Sequence, residues 1–234
     1  MNLDQHFLKD EAMAELAVSM CKIKKTDVVV EIGPGNGELT KFIPECKLTL
    51  IEKDKRLAGR LKPNYKVILG NGVEIIKKID FDVLISSVPY SICEPLMREL
   101  FLHEFRVASL IMPKNFVDNI ESNETSLSFL AKEFLEIKIV KDIERENFFP
   151  MPRVDSYLVE IKPKKAAEIL KKMYLQQDKK VKNALREAIV EINSKTKKQA
   201  NEAIKAMKIS PKTLDKNVRM LSFHELKYIK EATK

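Results

Sequence analysis

VVVEIGPGNG, Val28–Gly37, is the stretch on which the fold turns. Three valines and an isoleucine around one glutamate form a short, nearly continuous apolar run, as a strand buried on both faces requires. Glycines follow at 33, 35 and 37. A residue without a Cβ permits a tight turn and lets a ligand approach the backbone. The pattern predicts a strand, a loop, and then a helix whose N-terminus offers unpaired N–H groups. Acidic Glu52 ends the next apolar run, 15 residues past Gly37. A carboxylate there can take both hydroxyls of a ribose. The segment therefore reads as a nucleoside-cofactor loop. Its spacing is G-x-G-x-G after an acidic residue, Glu31, rather than the G-x-G-x-x-G dinucleotide form. NAD is the alternative ligand, but a dehydrogenase would need a catalytic acid/base and a larger second domain, and neither is apparent.

Further short apolar runs lie on either side of this segment: Leu48–Ile51, Lys66–Leu69, Val83–Ser86 and Val107–Met112. Helix-like stretches fall between them, clearest at Glu94–Leu102, and residues 9–22 have the spacing of an amphipathic helix. This alternation predicts βαβ units and a mostly parallel sheet. The pattern changes after Ser126. Leu127–Phe134 reads as a helix, and Ile137–Ile143 and Tyr157–Ile161 as two strands forming an antiparallel hairpin on the sheet edge. Lys162-Pro163-Lys164-Lys165 reads as a boundary, giving an α/β domain over 1–163 and a small all-α domain over 164–234. Helices are expected at Ala166–Tyr174, Lys179–Ile192 and Lys197–Met207. Ser210-Pro211 supplies an N-cap followed by proline at the first helical position, and Ser222 with Glu225 has capping-box spacing.

The chain of 234 residues carries a net charge of +8, distributed unevenly. Residues 162–234 hold 20 Lys/Arg against 8 Asp/Glu, whereas residues 1–161 hold 22 against 26. Such a basic tail suits nucleic acid, because neutralised phosphates release counterions; the alternative is a solvated lysine face that keeps the protein in solution. Cys21, Cys46 and Cys93 form no C-x-x-C pair. They suggest neither a zinc site nor a disulfide framework and fit a reducing cytoplasm. With Asp4, Asp10 and Glu11 near the start, no secretory signal is visible, and the apolar runs are too short to span a membrane.

A second segment, Ser86-Ser87-Val88-Pro89-Tyr90, follows the fourth predicted strand. Loops at the carboxyl ends of parallel strands form the ligand crevice, and an exposed Pro-Tyr there can stack an everted base. The plainer alternative is a helix-initiating proline with a tyrosine packed at the sheet edge.

Taken together, four segments resemble the rRNA adenine N6,N6-dimethyltransferases: LDQHFL at Leu3–Leu8, EIGPGNG with Glu52, SSVPY, and NFFPMPRVDS at Asn147–Ser156, which matches F-x-P-x-P-x-V-x-S. The similarity extends through Ser210–Leu226 to cover nearly the whole chain. It implies a Rossmann-like class I methyltransferase sheet with a small helical domain, and S-adenosylmethionine (SAM) as cofactor. The implied reaction is two methyl transfers to each of two adjacent adenines near the 3′ end of small-subunit rRNA, during ribosome biogenesis. The resemblance assigns the cofactor to Gln5, His6, Leu8, Glu31, Gly33, Gly35, Gly37, Glu52, Lys53, Asn71, Gly72 and Ser87. Ser87 and the Val88 carbonyl would accept from the target amine within the Ser87-Val88-Pro89-Tyr90 loop, and Tyr90 and Phe148 would stack the adenine. Arg145 and Arg153, and the helical cluster Lys179, Lys180, Lys182 and Arg186, are candidates for RNA contacts. His103 and His224 read as plain surface or boundary residues. The expected partner is an immature small subunit; a monomer without metal or membrane attachment is expected.

Two positions depart from the family pattern. Ser87 stands where N-[LI]-P-Y has Asn, and Asn71 where G-D-A has Asp. A serine hydroxyl is shorter than an Asn amide and also donates. An uncharged acceptor makes hydrogen bonds about half as strong as a charged one. These departures favour a second expectation, a family member of weak or absent activity acting as a small-subunit assembly factor. A third is the sister group that methylates large-subunit rRNA.

Overall fold

The computed structural model describes residues 5–61, 63 and 65–233; Leu3 and Asp4 of the LDQHFL segment lie outside them. In chain order the elements are β1 (Phe7–Leu8), α1 (Glu11–Ser19), β2 (Val28–Ile32), β3 (Lys47–Glu52), α2 (Lys55–Ala58), β4 (Lys66–Leu69), α3 (Gly72–Ile76), β5 (Val83–Ser87), α4 (Cys93–Leu100), β6 (Val107–Pro113), α5 (Lys114–Glu121), α6 (Ser126–Phe134), β7 (Leu135–Ile143), β8 (Phe148–Phe149) and β9 (Ser156–Pro163). Five helices follow: α7 (Glu168–Tyr174), α8 (Val181–Asn193), α9 (Lys197–Ala206), α10 (Pro211–Leu214) and α11 (Phe223–Ala232). Among the described residues no helix is long and apolar enough to cross a membrane, and no three His, Cys, Asp or Glu side chains are grouped to hold a metal ion.

Seven strands form one sheet in the order β4-β3-β2-β5-β6-β9-β7. The first five run parallel, and β9 joins β6 and β7 antiparallel, so the late hairpin sits on the edge. From β2 the chain builds outward through β3 and β4, then returns to add β5 and β6 on the other side. The carboxyl ends of β2 and β5 therefore flank the topological switch point, where open α/β sheets bind ligands. The central strands earn that place by composition: Val29, Val30, Leu84, Ile85, Ala108 and Leu110 are all buried. At β6 every residue from Val107 to Pro113 is buried, whereas edge strand β7 is largely exposed along its length.

One expectation fails beside the glycine loop. No α-helix follows Gly37; the chain makes consecutive turns and one 3₁₀ turn, Thr40–Phe42. Gly33, Gly35 and Gly37 all have positive φ, which an α-helix cannot contain. Pro44 then forces Ile43 into extended backbone. Two elements were invisible in the sequence pattern: α5, and the two-stranded antiparallel pair of β1 and β8, with Phe7 opposite Phe149 and Leu8 opposite Phe148.

Two compact units emerge: Met1–Asp118 with Leu135–Pro163, and Asn119–Phe134 with Lys164–Lys234. The expected division at 163/164 omits the segment 119–134, which groups with the helical unit. Within that unit Phe129 meets Phe223 edge-on and Phe134 meets Tyr174, both with ring centroids 5.8 Å apart. Ser210 caps α10 with Pro211 at its first turn, and Ser222 and Glu225 form the expected capping box on α11. Burial pushes the Glu225 carboxyl up, but hydrogen bonds from Lys216, Ser222 and Thr213 outweigh it and hold the group at about 2.

Candidate active site

The first half of the site lies at the ends of β2, β3 and β4. Gly33 adopts φ +67°, and a Cβ built there would meet no atom within 4 Å, so the loop presents bare backbone to open space. At Gly35 (φ +62°) a Cβ would fall 2.9 Å from Glu38 Oε2 and 3.0 Å from the Phe7 ring. That glycine is needed because the N-terminal strand packs directly on the loop. Gly72 carries no Cβ for a similar reason: one would lie 2.5 Å from the Ile32 side chain, where α3 crosses β2.

Three polar side chains complete this half. Buried Glu52 accepts from Gly35 N at 3.3 Å and from Asp54 N at 2.9 Å. Two backbone donors fix the carboxylate while leaving acceptor capacity for a ligand hydroxyl. Asn71 Oδ1 accepts from Val73 N at 3.0 Å and caps α3. The cap uses one of the oxygen's two acceptor sites, so what Asn71 keeps for the cleft is uncharged: a remaining acceptor site and the amide N–H. Glu31 is almost wholly buried and receives a 2.7 Å hydrogen bond from Thr40 Oγ1. Burial, reinforced by the carboxylates of Glu38 and Glu52, pushes its carboxyl up to about 8. Open space above Gly33 and a fixed carboxylate at Glu52 suit a nucleoside with free ribose hydroxyls.

The second half is assembled from three separate segments. At the end of β5, Ser86 Oγ donates to Ile32 O at 2.7 Å, tying β5 to β2; the pleat turns the next residue, Ser87, into the cleft. Val88 N donates to Ile111 O at 2.9 Å and extends the ladder past the strand. Tyr90 follows, its hydroxyl donating to Val154 O at 3.2 Å. His6 Nδ1 hydrogen-bonds Pro150 O at 2.7 Å, and its ring lies 5.8 Å from that of Tyr90, tilted by 43°. Lys9 N donates to Asn147 O at 2.7 Å, alongside the β1–β8 pair. The N-terminus, the loop after β5 and the FFPMPR segment are thus laced together. Phe148 belongs to the core cluster with Leu8, Ile111, Ile143 and Leu158, and only a small part of its ring reaches the cleft.

Most of the residues singled out in the sequence meet here. Gln5, His6, Leu8, Glu31, Gly33, Gly35, Glu52, Ser87, Val88, Pro89, Tyr90 and Phe148 line one cavity. Lys53, Asn71 and Gly72 line an adjoining one that shares Gln5, Gly33, Glu52 and Pro89 with it. Gly37 lines neither; its φ of +97° serves the turn. The cleft also includes Phe7, Pro152 and Ser156, which the sequence reading passed over. A two-residue strand carries no periodicity to read.

The candidate RNA residues lie elsewhere. Arg145 and Arg153 line a separate groove with Lys114, where three cations face four carboxylates, Asp118, Glu144, Glu146 and Asp155. Arg145 also pairs with Glu146 at 3.2 Å. In the helical unit Lys179 pairs with Glu187 at 2.6 Å, and Lys180 and Lys182 with Asp215 at 2.8 and 3.3 Å. Arg186 is half-buried, with a buried Nε that makes no hydrogen bond. His103 is half-buried and lies 3.3 Å from Glu99, a boundary position.

Comparison with known proteins narrows what such a cleft does. A family model described as ribosomal RNA adenine dimethylase matches residues 1–231. The chain is 30% identical to a probable ribosomal RNA small subunit methyltransferase A of Pyrococcus abyssi, over 98% of this chain and 90% of that one. It is 33% identical to a probable dimethyladenosine transferase of Dictyostelium discoideum, over 68% of this chain and 56% of that one. Among solved structures, a dimethyladenosine transferase from Plasmodium falciparum superimposes with a TM-score of 0.65 at 23% identity, covering 95% of each chain. The 23S rRNA methyltransferase ErmE gives 0.60 at 17%, covering 97% and 98%. Both share the class I methyltransferase fold with this chain.

Proposed function

The chain belongs to the ribosomal RNA adenine dimethylase family, SAM-dependent enzymes, and on that premise we propose that it methylates the N6 amines of two adjacent adenines near the 3′ end of small-subunit rRNA during subunit maturation. The observation that carries the reading is the continuity of the cleft, which joins an open glycine loop and fixed Glu52 to Ser87 and Tyr90. SAM supplies a methyl group on a cationic sulfur. Glu52, the Gly33–Gly35 loop, Asn71 and Gly72 would hold its nucleoside end.

The chain's own residues address the harder problem, that N6 is a poor nucleophile with its lone pair delocalised into the ring. Ser87 Oγ and the Val88 carbonyl are the acceptors that would draw on the amine protons and favour a tetrahedral nitrogen. Tyr90 presents a ring for the everted base, held by Val154 and the neighbouring His6. Incubation with SAM and immature small subunits, followed by primer extension across the two adenines, tests this reading. Stops at both adenines are expected; their absence with SAM bound overturns it.

A second reading has one observation of its own. Asn71 shares its oxygen with the α3 cap and offers an uncharged acceptor where the family offers a charged one, while Ser87 offers a shorter acceptor than the family's amide. Both changes weaken the site, and they favour slow methylation or a chain that serves chiefly as a small-subunit assembly factor. Single-turnover rates separate the two: transfer slower by about 10²–10³ is the expected cost of an acceptor lost from the transition state.

A further inference from the structure

The FFPMPR segment carries two large apolar side chains that the core does not use. Phe148 is 4% exposed, whereas Phe149 is 63% and Met151 56% exposed. The β1–β8 register explains the split. Leu8 and Phe148 oppose each other and turn into the core; Phe7 and Phe149 oppose each other and share the other face. Phe148 and Pro152, which bracket Phe149 and Met151 in the chain, both line the cleft, so the two exposed side chains sit beside it. The backbone beneath is fixed by the strand pair, by the His6–Pro150 hydrogen bond and by Lys9 N on Asn147 O. Two apolar side chains are thus displayed on a backbone with no freedom to hide them.

The electrostatics beside them narrow the occupant. The neighbouring groove sets three cations against four carboxylates and so offers phosphate no net attraction. A rim that is apolar, held in place and poor in net positive charge suits the face of a base rather than a backbone. We propose that Phe149 and Met151 form a stacking platform for an unpaired nucleobase adjacent to the one in the cleft, holding the flanking nucleotide of an RNA substrate beside the target. This rests on the reading of the cleft as a site for an RNA base. Base–aromatic stacking tolerates any base, so the platform fixes position rather than sequence.

The chain contains no tryptophan, so Phe149→Trp in the full-length protein supplies a single fluorescent reporter. The probe is an RNA hairpin whose unpaired loop holds two adjacent adenines. Quenching of the introduced indole is expected on binding, with the same amplitude at saturating hairpin at low and at moderate salt, because counterion release sets the affinity and stacking sets the quenching. Phe149→Ala and Met151→Ala should each weaken hairpin binding, roughly tenfold for the aromatic, with SAM binding by calorimetry unchanged. An unquenched indole while anisotropy shows the hairpin bound overturns the platform, assigns the rim to a protein surface instead, and leaves the cleft reading intact. If the unaltered chain neither binds nor methylates the hairpin or the immature subunit, the cleft reading fails and the platform with it.

Discussion

The two halves of the cleft are built in opposite ways. In the cofactor half, each group is placed by its immediate neighbours: Gly33 by its own φ, Glu52 by backbone N–H groups of Gly35 and Asp54, Asn71 by the helix it caps. In the target half, Tyr90 depends on Val154 and His6, and His6 in turn on Pro150, partners 64 and 144 residues away for the two hydrogen bonds. The first is a property of strand ends; the second exists only once three remote segments have met. Damage to the first should therefore appear as lost cofactor affinity, and damage to the second as lost transfer with the cofactor still bound.

The largest break is expected at Glu52. If Glu52 holds the ribose as proposed, Glu52→Gln removes charge-assisted hydrogen bonds worth about 2–3 kcal/mol, so calorimetry should show SAM binding weakened about a hundredfold. An unchanged affinity would mean that the carboxylate serves only Gly35 and Asp54. Tyr90→Ala tests the other half: transfer to RNA should fall roughly 10- to 100-fold from lost stacking, while SAM affinity stays as it was. A parallel loss of SAM affinity would erase the distinction between the halves.

Glu31 sharpens the comparison through pH. Its ordinary value is 4.5 and burial holds it at about 8 in the folded chain. Between those values the folded state keeps a proton that the unfolded state has lost, so this group's contribution to stability falls as pH rises, by about 1.4 kcal/mol per pH unit. Denaturant unfolding of wild type and Glu31→Gln at pH 6, 7 and 8 should show the variant gaining on wild type by that slope. A constant difference would place the ionised form inside the fold. The smallest effect belongs to Asn71→Asp. Aspartate caps a helix as well as asparagine, so Tm should hold. A charged acceptor now facing the cleft should tighten SAM about fivefold, read by calorimetry; weaker binding would mean that the Asn71 amide nitrogen serves the ligand as it stands.

Much of this architecture was legible in the residues. The apolar runs gave every strand of the large sheet within a few positions, the central ones because strands buried on both faces leave an uninterrupted Val/Ile/Leu signature. Glycines 33, 35 and 37 marked the loop, and Ser210-Pro211 and Ser222 with Glu225 marked two helix starts. The helix expected after Gly37 was wrong because three positive-φ glycines and Pro44 override the residues between them. The segment 119–134 groups with the helical unit although it lies between β6 and β7, which no local pattern announces.

By itself, then, the order of residues determined the sheet, the glycine crevice and the family, because those rest on side-chain periodicity and on backbone torsions set by single residues. Only the tertiary structure decided that Phe7 shields Gly35, that Phe148 turns inward while Phe149 stays in water, that Asn71 shares its oxygen with α3, and that the tail's lysines pair with Glu187 and Asp215. Each of these depends on which atoms end up within a few ångströms of one another, and the spacing of residues along the chain does not announce those partners.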